Sequence, residues 1–260
     1  MRTVQRELAL NNFDLDLPFV PGCLGFCPDV AALAGSGTFS VIDNFPKHGC
    51  GYFMEYICPL SQHHAKYLIR RYLARSAQSR ALACPSQKPP HFLPRVFLGD
   101  LMPLGDQWNA ELHDRPAYLD HLLAERVEIS YLAASMGATL AILHWACGID
   151  ARGVEFVLGR DVRGHVQFWL IDFSDCRSFK RTATAATRQL VDAVVHNEPF
   201  WPRWINICGL RELWGRFRDA YLEVSDFIVG DAMSDGQGKS LPHLFMGELE
   251  KIRGCGNLLA

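Results

Sequence analysis

The sequence predicts an α+β protein, because its apolar residues follow a strand-like pattern early in the chain and a helical spacing later. Between Pro18 and Leu60, short apolar runs are bounded by Gly and Pro, which is typical of strands. Beyond residue 61, apolar residues recur every three or four positions, as on the buried face of a helix. We therefore predict a β-rich lobe over residues 1–60, a mainly helical lobe with one β-hairpin over residues 61–229, and a Gly-rich tail over residues 230–260.

The first lobe is predicted to contain one helix and two strands. Residues 4–11 have the polarity of a short surface helix. Pro18 and Pro28 enclose the first strand, and small residues over 31–40 indicate a loop. The second strand is expected within residues 51–60, where Tyr52-Phe53-Met54 and Tyr56-Ile57 have the composition of a strand before Pro59.

The second lobe is predicted from apolar spacing and from the positions of Gly and Pro. A helix is expected from Ser61 to Ser79, and a strand from Leu93 to Leu98 after a Pro-rich loop. The strongest helical pattern runs from Tyr118 to Trp145. A hairpin of strands 154–158 and 166–171 follows. Helices are then expected over 183–196 and 210–228, with an aromatic loop between them. We expect the tail to be loosely held up to Leu249.

Composition places the chain among globular proteins. It has 260 residues, of which 49% are hydrophobic, with 26 basic and 28 acidic residues and a mean hydropathy of +0.01. This balance excludes a disordered chain and a polybasic tail. A net charge of −2 provides no general attraction to nucleic acid or to anionic lipid, so we expect neither as a partner. We expect a protein or small-molecule partner instead.

One uncharged segment is about as long as a membrane span. It runs from Ile129 to Ile149, but Ser, Thr, His and Gly interrupt it, and its flanks lack paired basic anchors. We therefore predict a buried helix. Residues 1–10 contain no apolar stretch of the secretory type, and the nine cysteines form no tight framework. A reduced protein of the cytoplasm or nucleus is the simplest interpretation.

The residues with the strongest chemical signal lie on both sides of the predicted hairpin. Asp150 follows the long helix, Glu155 lies five residues later, and Asp172 ends the second strand. Phosphoryl transfer requires a carboxylate that orients the attacking hydroxyl and oxygen ligands that hold Mg²⁺ on one wall of a cleft. Because the two ends of a hairpin meet at one edge, Asp150 and Asp172 are predicted to share a crevice. The alternative is that both residues only terminate elements of structure.

This pattern resembles the catalytic half of the kinase-like superfamily, particularly its aminoglycoside-phosphotransferase branch. The resemblance implies a two-lobe architecture with a truncated β-rich amino-terminal lobe. It implies that Asp150 is the catalytic-loop Asp and that Asp172 is the metal-binding Asp. Glu155 stands where the family has an Asn ligand, and it can either coordinate Mg²⁺ or repel nucleotide phosphates. His144 then either positions the catalytic loop or is a core histidine.

The same resemblance extends to the first lobe only in part. Residues 54–57 are similar to the hinge that holds the adenine of ATP, which assigns Glu55 and Ile57 to nucleotide binding. A competent enzyme also has a Gly-rich loop over the phosphates and a strand Lys paired with a helix Glu. Glu7 is the candidate Glu, and the three residues before its helix leave no room for the loop or the Lys. Residues 35–41 have a Gly-x-Gly-x-Phe-x-Val pattern, but an exposed loop is the better interpretation because no helix can follow it.

A closer resemblance is to a fungal family of uncharacterised function that is labelled "zinc finger protein" and has an Asn-Asp-Pro signature. The chain has Asn197-Glu198-Pro199 at that place, so Glu198 replaces the Asp. The resemblance covers roughly residues 50–225. The segments that carry it are Met54–Leu60, Arg95–Gly99, Leu143–Trp145, Val154–Gly159 and Trp169–Phe173.

Three functions remain open from the sequence. The first is a degenerate kinase-like protein that serves as a binding or scaffold module without efficient phosphotransfer. The second is a phosphotransferase that uses ATP and Mg²⁺, with the metal on Asp172 and Glu155. The third is an interaction protein organised by zinc, for which the available ligands are Cys23, Cys27, His48 and Cys50, with His63 and His64 as further candidates.

Overall fold

The computed structural model describes residues 15–31, 48–72, 75–82, 92–102, 116–203, 211–232 and 240–252. Within these residues the protein is a mixed α+β structure with two small sheets. The predicted helix at 4–11, Glu7 and the loop at 35–41 lie outside the described residues.

The strands form a two-stranded ribbon and a four-stranded sheet. The ribbon pairs β1 and β2 antiparallel, and the larger sheet has the order β4-β3-β5-β6, in which only β3 and β4 are parallel. The strands are β1 (Cys23–Cys27), β2 (Gly51–Met54), β3 (Arg95–Phe97), β4 (Pro116–Tyr118), β5 (Glu155–Arg160) and β6 (Val166–Ile171). The sequence predicted all of them except β4, whose three residues are too few to show an alternating pattern.

Among the described residues, most of the helical ones lie in the second half of the chain. They are α1 (Gln62–Tyr72), α2 (Arg75–Leu82), α3 (Leu119–Ala124), α4 (Ile129–Ala141), α5 (Val191–His196), α6 (Arg211–Ala232) and α7 (Leu241–Ile252). A π-helical turn, Ile142–Ala146, extends α4, and another, Ala185–Leu190, precedes α5. The helices predicted at 183–196 and 210–228 are confirmed where the chain is described.

One predicted helix is divided into two. The helix expected from Tyr118 to Trp145 breaks at Arg126, which adopts a left-handed backbone with φ of 57°. The amides of Glu125 and Arg126 close α3 by donating to the carbonyls of His121 and Leu123. Apolar spacing continued across this break, so periodicity alone concealed it. The helix expected from Ser61 to Ser79 is confirmed where the chain is described, as α1 and α2.

The core is centred on the crossing of α4 and α6. A Cβ on Gly137 would lie only 2.1 Å from the carbonyl oxygen of Phe217, so the two helices touch through their main chains at this point. The predicted apolar stripe of α6 is buried, since Leu213, Phe217, Tyr221 and Val224 are at most 2% exposed. The segment from Ile129 to Ala146 has the length and apolar content of a membrane span, but 72% of it is buried inside the protein. That burial is consistent with a soluble protein.

The expectation of a loosely held tail is wrong for residues 241–252. Helix α7 packs Leu241, Phe245 and Leu249 into the main core. The Gly content around this segment obscured a short amphipathic helix, whose stability comes from packing rather than from propensity.

Residues of the predicted first lobe contact the hairpin directly. The Phe19 amide donates to the Phe168 carbonyl at 2.8 Å, and the Leu170 amide donates to the Phe19 carbonyl at 2.8 Å. Farther along the hairpin, the Arg160 amide donates to the Cys58 carbonyl at 2.7 Å. The division of the chain at residue 60 stays a prediction.

Candidate functional site

The hairpin of β5 and β6 brings two loops together at its open end. Glu155 pairs with Ile171, so the residues just before β5 and just after β6 are neighbours. Beyond that pair, Ile149 forms an antiparallel bridge with Ser178, and the Asp150 amide donates to the Arg177 carbonyl at 2.9 Å. The loops that carry Asp150 and Asp172 therefore lie against each other.

The carboxylate of Asp150 is buried and fully engaged. The residue is 1% exposed. Its Oδ1 accepts hydrogen bonds from the amides of Arg152 at 3.2 Å and Arg177 at 2.9 Å, and its Oδ2 accepts one from Gln189 Nε2 at 3.0 Å. These partners come from three separate segments. The observed role of Asp150 is therefore to join both loops to the segment that leads into α5.

Asp172 is more accessible than Asp150, and its backbone is strained. It has φ of 57°, a left-handed conformation that costs energy for residues other than Gly. Its Oδ1 accepts hydrogen bonds from the Ser174 amide at 3.3 Å and the Ser174 hydroxyl at 2.8 Å. Asp tolerates this conformation better than most residues because its side chain bonds the main chain two residues on.

The thiol of Cys176 lies near several negative charges at this edge of the hairpin. Burial raises the pKa of its thiol, and the carboxylates of Asp150, Asp172 and Asp175 act in the same direction, so that the pKa is about 12. The thiol lies 3.4 Å from the Arg152 carbonyl. Cys176 therefore lies where the loop after β6 contacts the Asp150 loop. The protonated thiol is inert as a nucleophile at neutral pH.

Glu155 is committed to a different partner. Its Oε2 lies 3.1 Å from Arg95 Nε on β3, so a guanidinium neutralises the carboxylate that the resemblance assigned to Mg²⁺. Across the described ranges, no group of three His, Cys, Asp or Glu side chains is placed to hold a metal ion.

A cleft opens between the ribbon and the end of β6. Its volume is about 360 Å³. It is lined by Val20, Pro21, Cys23, Tyr52, Met54 and residues 171–174, so Asp172 contributes to its wall. Met54 and Asp172, which belong to segments that the resemblance assigned to nucleotide and metal binding, therefore line the same cleft.

The two residues assigned to nucleotide binding are otherwise engaged. The Glu55 amide donates to the Gly22 carbonyl at 2.8 Å, and the Glu55 carboxylate accepts the Gly22 amide at 3.2 Å. Ile57 is 3% exposed and packs its side chain with Val157 and Trp169. In this structure Glu55 holds the ribbon to its neighbouring segment, and Ile57 fills a small core.

His144 lies in the core beneath the site. It is completely buried, and its ring meets Trp145, Tyr221 and Phe245 edge-on. Its Nδ1 is 3.0 Å from the Tyr221 hydroxyl, which also accepts the Trp145 indole N–H at 3.0 Å. Burial lowers the pKa of His144 to about 3, although Asp150 favours the protonated ring. The core-histidine interpretation therefore describes its surroundings better than a catalytic one.

The Asn197-Glu198-Pro199 segment holds the hairpin from the side. Asn197 is buried, and its amide group donates to the Val154 carbonyl at 2.7 Å. Glu198 lies 3.3 Å from Arg203, which also pairs with Asp100 at 3.0 Å. The signature thus joins the loop before β5 to the segment after β3. Its observed contacts are structural, and the substituted Glu198 keeps an ion pair.

Sequence reasoning missed several residues that shape the site. Gln189 and Cys176 contact the Asp150 loop, and the Arg181 guanidinium donates to the Trp145 carbonyl at the end of the π-helical turn. Gln189 reaches Asp150 across 39 residues of sequence, and Arg181 reaches Trp145 across 36. No local pattern indicates such contacts.

Comparison with known families identifies part of this region. Residues 168–233 match the family described as zinc finger protein. The matched segment contains the last four residues of β6, Asp172, the Asn197-Glu198-Pro199 signature and α6. Searches of curated proteins and of solved structures found no match to the chain.

The residues do not fit the zinc site that this family description implies. The matched segment has only Cys176, His196 and Cys208 as thiol or imidazole residues, whereas a structural zinc takes four ligands. The set Cys23, Cys27, His48 and Cys50 lies within the described ranges, and no three of these side chains come together. Cys27 Sγ instead lies 3.1 Å from the Asp29 carbonyl. Among the described residues, these side chains therefore do not form the four-ligand site that the third predicted function requires, and that function stays a prediction.

Proposed function

We propose that the chain is a kinase-like protein that has lost efficient phosphotransfer and serves as a binding or scaffold module. The observation that carries this proposal is the state of Asp150. A catalytic carboxylate must reach the substrate hydroxyl, and Asp150 is 1% exposed with three hydrogen bonds to its own protein. Releasing it would leave two main-chain amides and one side-chain amide without their acceptor.

The kinase-like part of the proposal rests on the order of elements. A buried helix leads into a loop with Asp150, a hairpin follows, and Asp172 stands at its end in a strained backbone conformation. The ribbon of β1 and β2 lies across the cleft from Asp172. This order supports a two-lobe arrangement in which the first lobe is reduced.

The loss of activity is supported by the other assigned residues. Glu155 pairs with Arg95, and Glu55 uses its amide and its carboxylate on Gly22. Each of these groups would have to break an existing contact before it could bind a metal or a nucleotide. Such contacts stabilise the fold, so the site is better suited to a structural role.

Phosphotransfer and thermal unfolding with Mg²⁺·ATP test the proposal. We expect no transfer of phosphate to water or to general acceptor proteins above that of Asp172→Ala. We also expect no rise in Tm at millimolar Mg²⁺·ATP. Turnover that depends on Asp150 and Asp172 would refute the proposal, because it would require the buried carboxylate to act on a substrate.

A second candidate is an ATP- and Mg²⁺-dependent phosphotransferase, and the cleft of about 360 Å³ beside Asp172 is the observation that favours it. A ligand at about one hundred times its Kd adds about 2.7 kcal/mol of stability. That corresponds to a Tm rise of roughly 5–10 °C for a chain of this size. The rise should disappear in Asp172→Ala and remain in Asp175→Ala, which removes an exposed carboxylate of the same loop that does not line the cleft.

A further inference from the structure

A second cavity lies at the other end of the hairpin, away from Asp172. It has a volume of about 210 Å³ and is bounded by α1, α3 and the turn end of the hairpin. Its walls are mostly apolar. The apolar residues that line it include Leu60, Leu68, Phe92, Leu122, Leu158 and Val166. This cavity is independent of the proposed function, because none of its lining residues belongs to the cleft.

The size of the cavity indicates what it can hold. Cofactors and drug-sized ligands occupy pockets of about 300–1,000 Å³, which is more than this cavity offers. An apolar cavity of about 150 Å³ already accepts benzene. The space therefore suits one large apolar side chain rather than a whole cofactor.

The rim of the cavity is rigid and polar. Tyr72 donates its hydroxyl hydrogen to Glu125 Oε1 at 2.6 Å, and Arg71 Nε lies 2.9 Å from the same oxygen. The Arg71 guanidinium also donates to the Tyr67 hydroxyl at 3.0 Å. Tyr67, Tyr72 and Glu125 all line the cavity, so Arg71 ties its two sides together. A rim held in this way requires little reorganisation when a ligand binds.

The charged side chains of α1 and α2, beside the cavity, are all positive. Every charged residue from Gln62 to Leu82 is basic, although the whole chain has a net charge of −2. The side chains of Lys66, Arg70, Arg71 and Arg75 are exposed. Arg70 lies three residues after Tyr67 and thus on a neighbouring position of the helix surface. A positive surface therefore adjoins the apolar cavity.

We propose that this cavity and the basic surface of α1 and α2 together bind an extended acidic segment of another protein. One large apolar side chain of the segment enters the cavity, and Asp and Glu residues beside it lie along the basic surface. A nucleic acid fits less well, because an apolar cavity gives it no advantage. A small apolar molecule leaves the basic surface unused.

Selection from a library of random peptides displayed on phage tests the proposal with the full chain. We expect enrichment of peptides that have one Leu, Ile, Phe or Trp flanked by Asp and Glu. A synthetic fluorescein-labelled copy of the strongest sequence should bind in a fluorescence anisotropy assay, and its affinity should fall as salt rises. Failure to enrich any peptide, or enrichment of sequences without acidic residues, would overturn the proposal.

Two pairs of variants locate the binding site. Val166→Glu places a carboxylate at the cavity, whereas Val162→Glu makes the same change at the 94%-exposed tip of the same hairpin. We expect at least about tenfold weaker peptide binding for the first and no change for the second, because a central apolar anchor carries much of the binding. Arg70→Glu should weaken binding several-fold, while Arg216→Glu, an exposed site on α6, should not.

Equal binding by Val166→Glu and Val162→Glu would place the peptide elsewhere and refute the assignment. If Val166→Glu does not fold, Tyr67→Glu tests the same cavity from its exposed rim. A fluorescein-labelled single-stranded oligonucleotide tests whether the basic surface binds nucleic acid instead. Competition between it and the peptide, with sensitivity to Arg70→Glu and none to Val166→Glu, would assign the basic surface to nucleic acid instead.

Discussion

Acidification should destabilise the protein through His144. In the unfolded chain this imidazole takes up a proton near its ordinary pKa of 6.5, whereas burial lowers its pKa in the folded protein to about 3. Between these two values the unfolded state holds one more proton than the folded state. Stability therefore falls as the pH falls, and it is unaffected by this residue above about pH 7.

The magnitude follows from the pKa difference. Each pH unit below 6.5 removes about 1.4 kcal/mol from the free energy of unfolding. At pH 5 the loss is about 2 kcal/mol, and it continues down to the folded-state pKa of about 3. Protonation at Nδ1 would also remove the acceptor that the Tyr221 hydroxyl faces at 3.0 Å.

Urea denaturation followed by tryptophan fluorescence at pH 7, 6 and 5 measures this slope. His144→Asn is the matched variant, because its amide keeps a hydrogen-bonding atom near Nδ1 and has no proton to gain. We expect the variant to lose about 2 kcal/mol less than the parent between pH 7 and pH 5. His63→Asn, at an exposed side chain of α1, is the control for the removal of an imidazole. Identical slopes for the parent and His144→Asn would refute the buried, neutral histidine.

Three further predictions concern the core and are measured by the same urea titration. Gly137→Ala should lower the free energy of unfolding by at least about 2 kcal/mol, because its Cβ would lie 2.1 Å from a carbonyl oxygen. The control is Gly215→Ala, whose Cβ would meet nothing within 4 Å and which should be neutral or stabilise by up to about 1 kcal/mol. Equal effects would contradict the contact of α4 with α6. Tyr221→Phe should cost about 1–3 kcal/mol, since it leaves the buried Trp145 indole N–H unpaired, and a neutral result would exclude that hydrogen bond. Leu249→Ala should cost about 2–5 kcal/mol, and a loss below 1 kcal/mol would mean that α7 is not part of the core.

The elements that the sequence predicted well are those whose pattern is local. The hairpin was visible because two apolar runs flank a short segment with Gly159 and Gly164, although in the structure Gly159 belongs to β5 and only Gly164 lies between the strands. The buried stripe of α6 was visible because its members recur at helical spacing. By contrast, β4 owes its existence to β3, with which it pairs in parallel, and the break at Arg126 depends on how α3 and α4 pack. Neither feature has a local signature.

The candidate site shows the same division. The order of Asp150, the hairpin and Asp172 could be obtained from spacing, and the structure places both loops at one edge of the hairpin. The surroundings of each carboxylate could not be obtained in this way. Gln189 reaches Asp150 from 39 residues away, and Arg95 reaches Glu155 from a different strand. These contacts, rather than the identity of the acids, argue against phosphotransfer.

The sequence by itself determined the α+β class, the hairpin, the main helices and the residues worth testing, because periodicity and turn chemistry act over a few neighbouring residues. Only the tertiary structure decided that Asp150 is buried, that Glu155 is neutralised, that His144 is a core residue and that an apolar cavity adjoins a basic helix surface. Burial and pairing depend on contacts between segments that are distant in the sequence, and no local pattern in the 260 residues indicates those contacts.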